Sequence, residues 1–130
     1  MPRFLHVLTA VHGAGALACV VLAAGSAISG GFRAGLGRSG GSRMMLAMFG
    51  EGTWAFLVLV GLVLGMLAYG SWRVRSWAWA LTLVVYGIGV LGSFWQIAVG
   101  IHEAWLAALV NGAVFAYAAT PRVRRAYTGR

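Results

Sequence analysis

LHVLTAVHGAGALACVVLAAGSAI, the stretch from Leu5 to Ile28, contains no Asp, Glu, Lys or Arg. As one helix it is long enough to cross the ~30 Å hydrocarbon core of a bilayer. Three more apolar runs follow: Met44–Tyr69, Trp77–Val99 and Ile101–Ala119. Together they predict an all-α integral membrane bundle of four transmembrane helices, a single transmembrane domain over residues 1–130. Composition agrees, with 61% hydrophobic and 9% charged residues, where soluble domains carry about 25% charged. A soluble domain of this length buries only part of its surface and cannot hide so much apolar area.

The breaks between runs have turn composition. Ser29–Arg43 is a Gly/Ser/Arg stretch without periodicity, Gly70–Ser76 is short, a tight turn surrounds Gly100, and Pro121 is expected to close the fourth helix. The second run is too long for a simple span. Counting about 20 residues back from Tyr69 reaches Gly50-Glu51-Gly52, a glycine pair that should break the helix and leave Met44–Phe49 as an interfacial piece. The first run exceeds the apolar core of an ordinary signal peptide and reads as a retained helix.

The ten basic residues are all arginine and the two acidic ones both glutamate, for a net charge of +8. The arginines sit in spacers between apolar runs, which excludes a nucleic-acid-binding face and makes them topology signals. An inside amino terminus puts Arg3, Arg73, Arg75, Arg122, Arg124, Arg125 and Arg130 in the cytoplasm against Arg33, Arg38 and Arg43 outside. Both termini are therefore expected inside. Trp72, Trp77 and Trp79 would mark the inner interface and Trp54, Trp95 and Trp105 the outer one. Arginine without lysine, beside abundant Ala and Gly, is the composition of a GC-rich bacterial genome and implies a bacterial cytoplasmic (inner) membrane. Cys19 is the single cysteine, so no internal disulfide forms.

Small residues let membrane helices approach closely. Ala104, Ala108, Gly112 and Ala116 recur every fourth residue on the fourth helix, Ala10, Ala14 and Ala18 on the first, and Gly61 and Gly65 on the second, while the third offers Gly89 and Ser93. These stripes are the expected packing faces.

Three polar residues lie within the runs: His12, Asn111 and Gln96. An intramembrane histidine is a functional candidate by default. His12 is read either as a ligand to haem or a chlorophyll-type pigment, or a proton relay, or as a neutral imidazole hydrogen-bonded to Asn111 or a backbone carbonyl. His6 and His102 do not share its depth and face, so no two-histidine site forms within one chain. Asn111 and Gln96 are expected to make interhelical hydrogen bonds. Glu51, Glu103 and His102 gather at the outer rim, where pairing with Arg33, Arg38 and Arg43 would pin the first loop. Their spacing matches no metal or acid–base motif, so no metal, no catalytic residue and no enzyme activity are expected.

The run Tyr86-Gly87-Ile88-Gly89-Val90-Leu91-Gly92 and the tail Pro121-Arg122-Val123-Arg124-Arg125-Ala126-Tyr127 resemble the helical hairpins of small uncharacterised bacterial four-helix membrane proteins. The resemblance covers about a third of the chain and implies a membrane hairpin with a short basic tail, with no activity attached. Three functions follow from the sequence: an accessory or scaffolding subunit of a larger membrane complex, partnered by other subunits or by itself; a small oligomeric transporter or channel lined by Asn111, Gln96 or Glu51; or a haem- or pigment-binding protein using His12.

Overall fold

An apolar helix in lipid packs on a neighbour along the line where residues recur every 3.5 positions, because 3.6 residues make a turn. All four long helices follow such a line. The computed structural model describes residues 5–29, 31, 35, 38 and 46–129. Among these the regular elements are helices α1 (Leu5–Ile28), α2 (Thr53–Trp72), α3 (Ser76–Ala98), α4 (Ala104–Ala119) and α5 (Pro121–Thr128), with no strand. Three helical stretches, His6–Ile28, Leu46–Trp72 and Ser76–Ala98, are long and apolar enough to cross a membrane. A fourth span exists if α4 and α5, bent by 60° at their junction, are counted as one.

The helices form two antiparallel pairs, α1 with α2 and α3 with α4. In the first pair the backbones come close at Gly61, where a Cβ would stand 3.2 Å from Cys19 Cβ and 3.5 Å from the Ala16 carbonyl. In the second, Gly89 makes room for Asn111: a Cβ there would lie 2.8 Å from its amide. The Trp79 indole also donates to the Ala118 carbonyl at 2.8 Å, and Phe94 meets Trp105 edge to face at the far end. The pairs touch each other less. Shallow apolar grooves run between them, one of about 230 Å³ lined by Leu59, Val63, Val85 and Ile88 and another of about 230 Å³ lined by Val7, Val11, Ala113 and Tyr117. What closes the bundle is one end, where Leu8 of α1, Ala118 of α4, and Val123 and Tyr127 of α5 form a buried cluster.

The small-residue stripes need correction. On α1 the buried positions are Leu8, His12, Ala23 and Ser26, whereas Ala10, Ala14 and Ala18 are exposed. At 100° per residue, positions two away from Leu8 and His12 point to the opposite side of the helix. On α4, Ala104, Ala108 and Ala118 are buried, Gly112 is half-buried and Ala116 is exposed. A strict spacing of four advances 400° and drifts 40° per step, so the contact line leaves the stripe after Ala108 and continues through Asn111. On α2 the close approach is made by Gly61 and not by Gly65, which has open space where a Cβ would be.

The element boundaries also shift. The expected break in the second run is a 3₁₀ turn, Gly50–Gly52, entered with Gly50 at φ +52°, and α2 starts at Thr53, whose hydroxyl donates to the Gly50 carbonyl at 2.7 Å. Leu46–Phe49 is helical, and Met44 and most of Ser29–Arg43 lie outside the described residues. The α4 helix starts at Ala104 instead of Ile101 because Ile101 belongs to the preceding turn, its N–H donating to the Gln96 carbonyl. Its 16 residues are shorter than the roughly 20 that a span requires. The α4 helix ends at Ala119, just before Pro121, as expected, but a further helix then begins at Pro121 itself. Thr120 before it is extended, as a residue preceding proline must be, and Pro121 opens α5 at a position where its missing N–H costs nothing.

Two turns share one geometry. After α3, the Gly100 N–H donates to the Ile97 carbonyl and the Ile101 N–H to that of Gln96, with Gly100 at φ +90°. After α2, the Val74 N–H donates to the Ser71 carbonyl and the Arg75 N–H to that of Gly70, with Val74 at φ +52°. Both are Schellman closures, which normally place glycine at the left-handed position. A β-branched residue there is strained by about 1–2 kcal/mol. Val74 is held by packing against the end cluster of Leu8, Ala118, Val123 and Tyr127. Val74→Gly should relieve strain as it loses contact and keep the detergent-solubilised unfolding midpoint close to the parent's. Val74→Ala loses contact and keeps the strain, so it should unfold at the lower temperature of the two. The reverse order would show that the turn is not strained.

Candidate functional site: a buried histidine where four helices meet

His12 is seven residues from the start of α1, and Thr82 is six from the start of α3. Both pairs begin or end at the same face of the bundle, so the two side chains arrive at equal depth. Ser71 joins them from the last turn of α2, and Tyr86 packs its ring 5.6 Å from the imidazole, one helical turn from Thr82. His12, Ser71 and Thr82 are completely buried.

The polar contacts form a directed chain. Ser71 Oγ lies 3.3 Å from His12 Nδ1, and Thr82 Oγ1 lies 3.5 Å from His12 Nε2. Thr82 donates its own proton to the Ala78 carbonyl at 2.7 Å, so its oxygen faces the ring as an acceptor. A neutral imidazole has one donor and one acceptor nitrogen. The proton therefore belongs on Nε2, and Ser71 donates to Nδ1. On the other side of Ser71, the Tyr127 hydroxyl donates to its backbone carbonyl at 3.4 Å. One set of hydrogen bonds thus ties α5 to α2, α2 to α1, and α1 to α3. The two bonds to the ring are long, so each is weak.

The arrangement differs from the sequence reading. His12 does not meet Asn111, which sits deeper and packs over Gly89. Its partners are two helix hydroxyls, Ser71 and Thr82, with Tyr86 and Tyr127 beside them, and none of these four belongs to a recognisable sequence motif. The signal for two of them was present: Thr82 and Tyr86 are four apart on one face of α3 at the depth of His12. Trp79, assigned to the inner aromatic belt, is half-buried and turns its N–H into the bundle, while Trp72 and Trp77 are exposed at that end. Gln96 occupies the last turn of α3, where its backbone carbonyl closes the turn.

The outer-rim residues lie at the opposite end. Glu51, His102, Glu103 and Arg38 are exposed, and Arg33 and Arg43 fall outside the described residues. No group of three His, Cys, Asp or Glu side chains that could hold a metal occurs among the described residues. Another apolar groove, about 280 Å³, is lined by Gly87, Val90, Leu91 and Phe115. Comparison with protein-family models, with curated proteins and with solved structures gives no match for this chain.

The histidine cluster can fasten the bundle, and two effects contribute. Truncating a fully buried ring removes contacts on all sides, which typically costs about 2–4 kcal/mol. One interhelical hydrogen bond in a membrane protein contributes about 0.6 kcal/mol. Packing should dominate. His12→Ala is expected to cost several times as much stability as Thr82→Val, measured by unfolding in mixed micelles. Nitrogen NMR of the labelled imidazole should find Nε2 protonated and Nδ1 bare. A protonated Nδ1 would mean that Thr82 does not accept from the ring.

Proposed function

We propose that this chain is an accessory or scaffolding subunit of a larger membrane protein complex, acting through helix contacts with other subunits or with further copies of itself. The observation that carries the reading is the position of the Ala10, Ala14 and Ala18 stripe. It lies on the face of α1 away from α2 and is exposed. A smooth stripe at this spacing allows another helix to approach closely in lipid, where packing and not hydrophobic transfer drives association. The exposed Ala116 on α4 adds a second smooth position. Support also comes from inside the bundle, where His12, Ser71 and Thr82 satisfy one another.

The orientation proposed with it puts both termini on the cytoplasmic side of a bacterial inner membrane, on the weight of seven arginines against three. The transporter reading draws less support, because Asn111 faces Gly89 within the α3–α4 pair while Glu51 is in the turn before α2. For haem or pigment binding, a ligand at His12 would have to displace Ser71 or Thr82 from a ring nitrogen.

Native membranes solubilised in mild detergent should yield the chain in a species larger than its monomer. Ala10→Ile with Ala14→Ile should shift it to the monomer while leaving its own unfolding midpoint unchanged, because neither side chain faces the bundle. A wild-type chain that runs alone as a monomer and recovers no other chain would refute the proposal.

A further inference from the structure

Helix α5 is amphipathic in a specific way. Val123 and Tyr127, four residues apart, are buried against Leu8 and Ala118 at the bundle end, and Arg122, Arg124 and Arg125 are exposed on the outer face. The 60° bend at Thr120–Pro121 turns the helix off the axis of α4, so it caps the bundle end without extending α4. The α2–α3 turn reaches the same place. Val74 packs into the cluster that seats α5, and the exposed Arg73 and Arg75 flank it. Arg73 is further fixed over the Tyr69 and Trp72 rings, 5.7 and 5.3 Å from their centroids.

Four arginines, Arg73, Arg75, Arg124 and Arg125, are thereby carried on one surface. The only acidic side chains in the sequence are Glu51 and Glu103, and both stand at the other end of the bundle. No carboxylate side chain of this protein can neutralise the surface. Its depth is marked by exposed Tyr69, Trp72 and Trp77 around it, and such aromatics settle at the headgroup level. Guanidinium groups favour phosphate through paired N–H donors.

We infer that the surface formed by α5 and the α2–α3 turn binds the headgroups of anionic phospholipids, with Arg73, Arg75, Arg124 and Arg125 as the phosphate-binding residues. This is a lipid site, and it stands whether or not the chain proves to be an accessory subunit. A bare amphipathic helix would have to insert its apolar face into lipid. Here that face is already satisfied by the bundle, so α5 offers the membrane its charge alone, and recognition is electrostatic.

The test uses the full chain in detergent micelles with equal amounts of phosphatidylglycerol and phosphatidylcholine of identical acyl chains, read by native mass spectrometry. Retained lipid should be enriched in phosphatidylglycerol by about threefold or more. Arg124→Gln with Arg125→Gln, and separately Arg73→Gln with Arg75→Gln, should each reduce that enrichment. The corresponding lysine pairs should keep most of it, and Arg38→Gln at the opposite end should leave it unchanged. Should the Arg73/Arg75 variant disturb its turn, the Arg124/Arg125 variant decides alone, since both of its side chains are exposed. Equal retention of the two lipids by the wild type, or enrichment untouched by the Arg124/Arg125 variant, would overturn the inference. So would displacement of phosphatidylglycerol by millimolar inorganic phosphate, which would make the ligand a soluble anion.

Discussion

A polar side chain buried in a bundle of apolar helices must find its hydrogen-bond partners on those helices, and the imidazole of His12 imposes this condition on the rest of the molecule. Its two nitrogens point in nearly opposite directions, so one helix cannot satisfy both. Ser71 on α2 meets one and Thr82 on α3 the other. The two helical pairs are thereby brought to a common depth at one end. Packing sets how closely the helices approach, but the polar chain favours the register in which they do so, because a slide by one turn would leave both imidazole nitrogens without their partners. The hydroxyls also suit the position. Thr82 covers its own requirement through the Ala78 carbonyl, so its oxygen can accept from the ring without leaving a buried proton unpaired.

The end holding His12 differs from the rest of the bundle. Within each pair contact is continuous, maintained by Gly61 in one and by Gly89 beneath Asn111 in the other. Between the pairs lie apolar grooves, one beside Leu8 and Val11 near the histidine and one lined by Leu59, Val63, Val85 and Ile88. Lipid chains or another helix would find these as apolar as the bilayer itself, so they carry no hydrophobic incentive to close. The stability joining the pairs is therefore concentrated at the histidine, the strained Val74 turn and the α5 cap. These three share residues: Tyr127 of the cap bonds to Ser71, and Val74 packs on Tyr127's own cluster.

The spans were legible in the sequence because hydrophobic length is a one-dimensional property. Leu5–Ile28 and the glycine-flanked break at Glu51 could be read from composition alone. The packing faces were not, and the reason is geometric. A spacing of four looks regular in a sequence but drifts around a helix, whereas the observed line on α4 runs Ala104, Ala108, Asn111 and Ala118, in steps of four, three and seven. Ala10, Ala14 and Ala18 formed the neater pattern and lie on the uncovered side. Partners of His12 were hidden for another reason. Ser71 is 59 residues away in sequence and Thr82 is 70, and hydroxyls are common enough in membrane helices that neither stands out until the pairs are folded against each other. In the tail, Pro121 marks the end of α4 as its sequence position implies, but nothing in the composition announces that it also opens α5.

The distribution of charge follows from this construction. Among the described residues arginine is the main ionic group at the histidine end, and glutamate stands only at the other. Val123 and Tyr127 seat α5 by apolar contact, with Tyr127 adding a bond to the Ser71 carbonyl, while Arg124 and Arg125 on its back are exposed. A helix anchored by one face and charged on the other couples the headgroup layer to Ser71, and through Ser71 to His12. Electrostatic attraction at the surface therefore presses on the same joint that holds the two helical pairs in register.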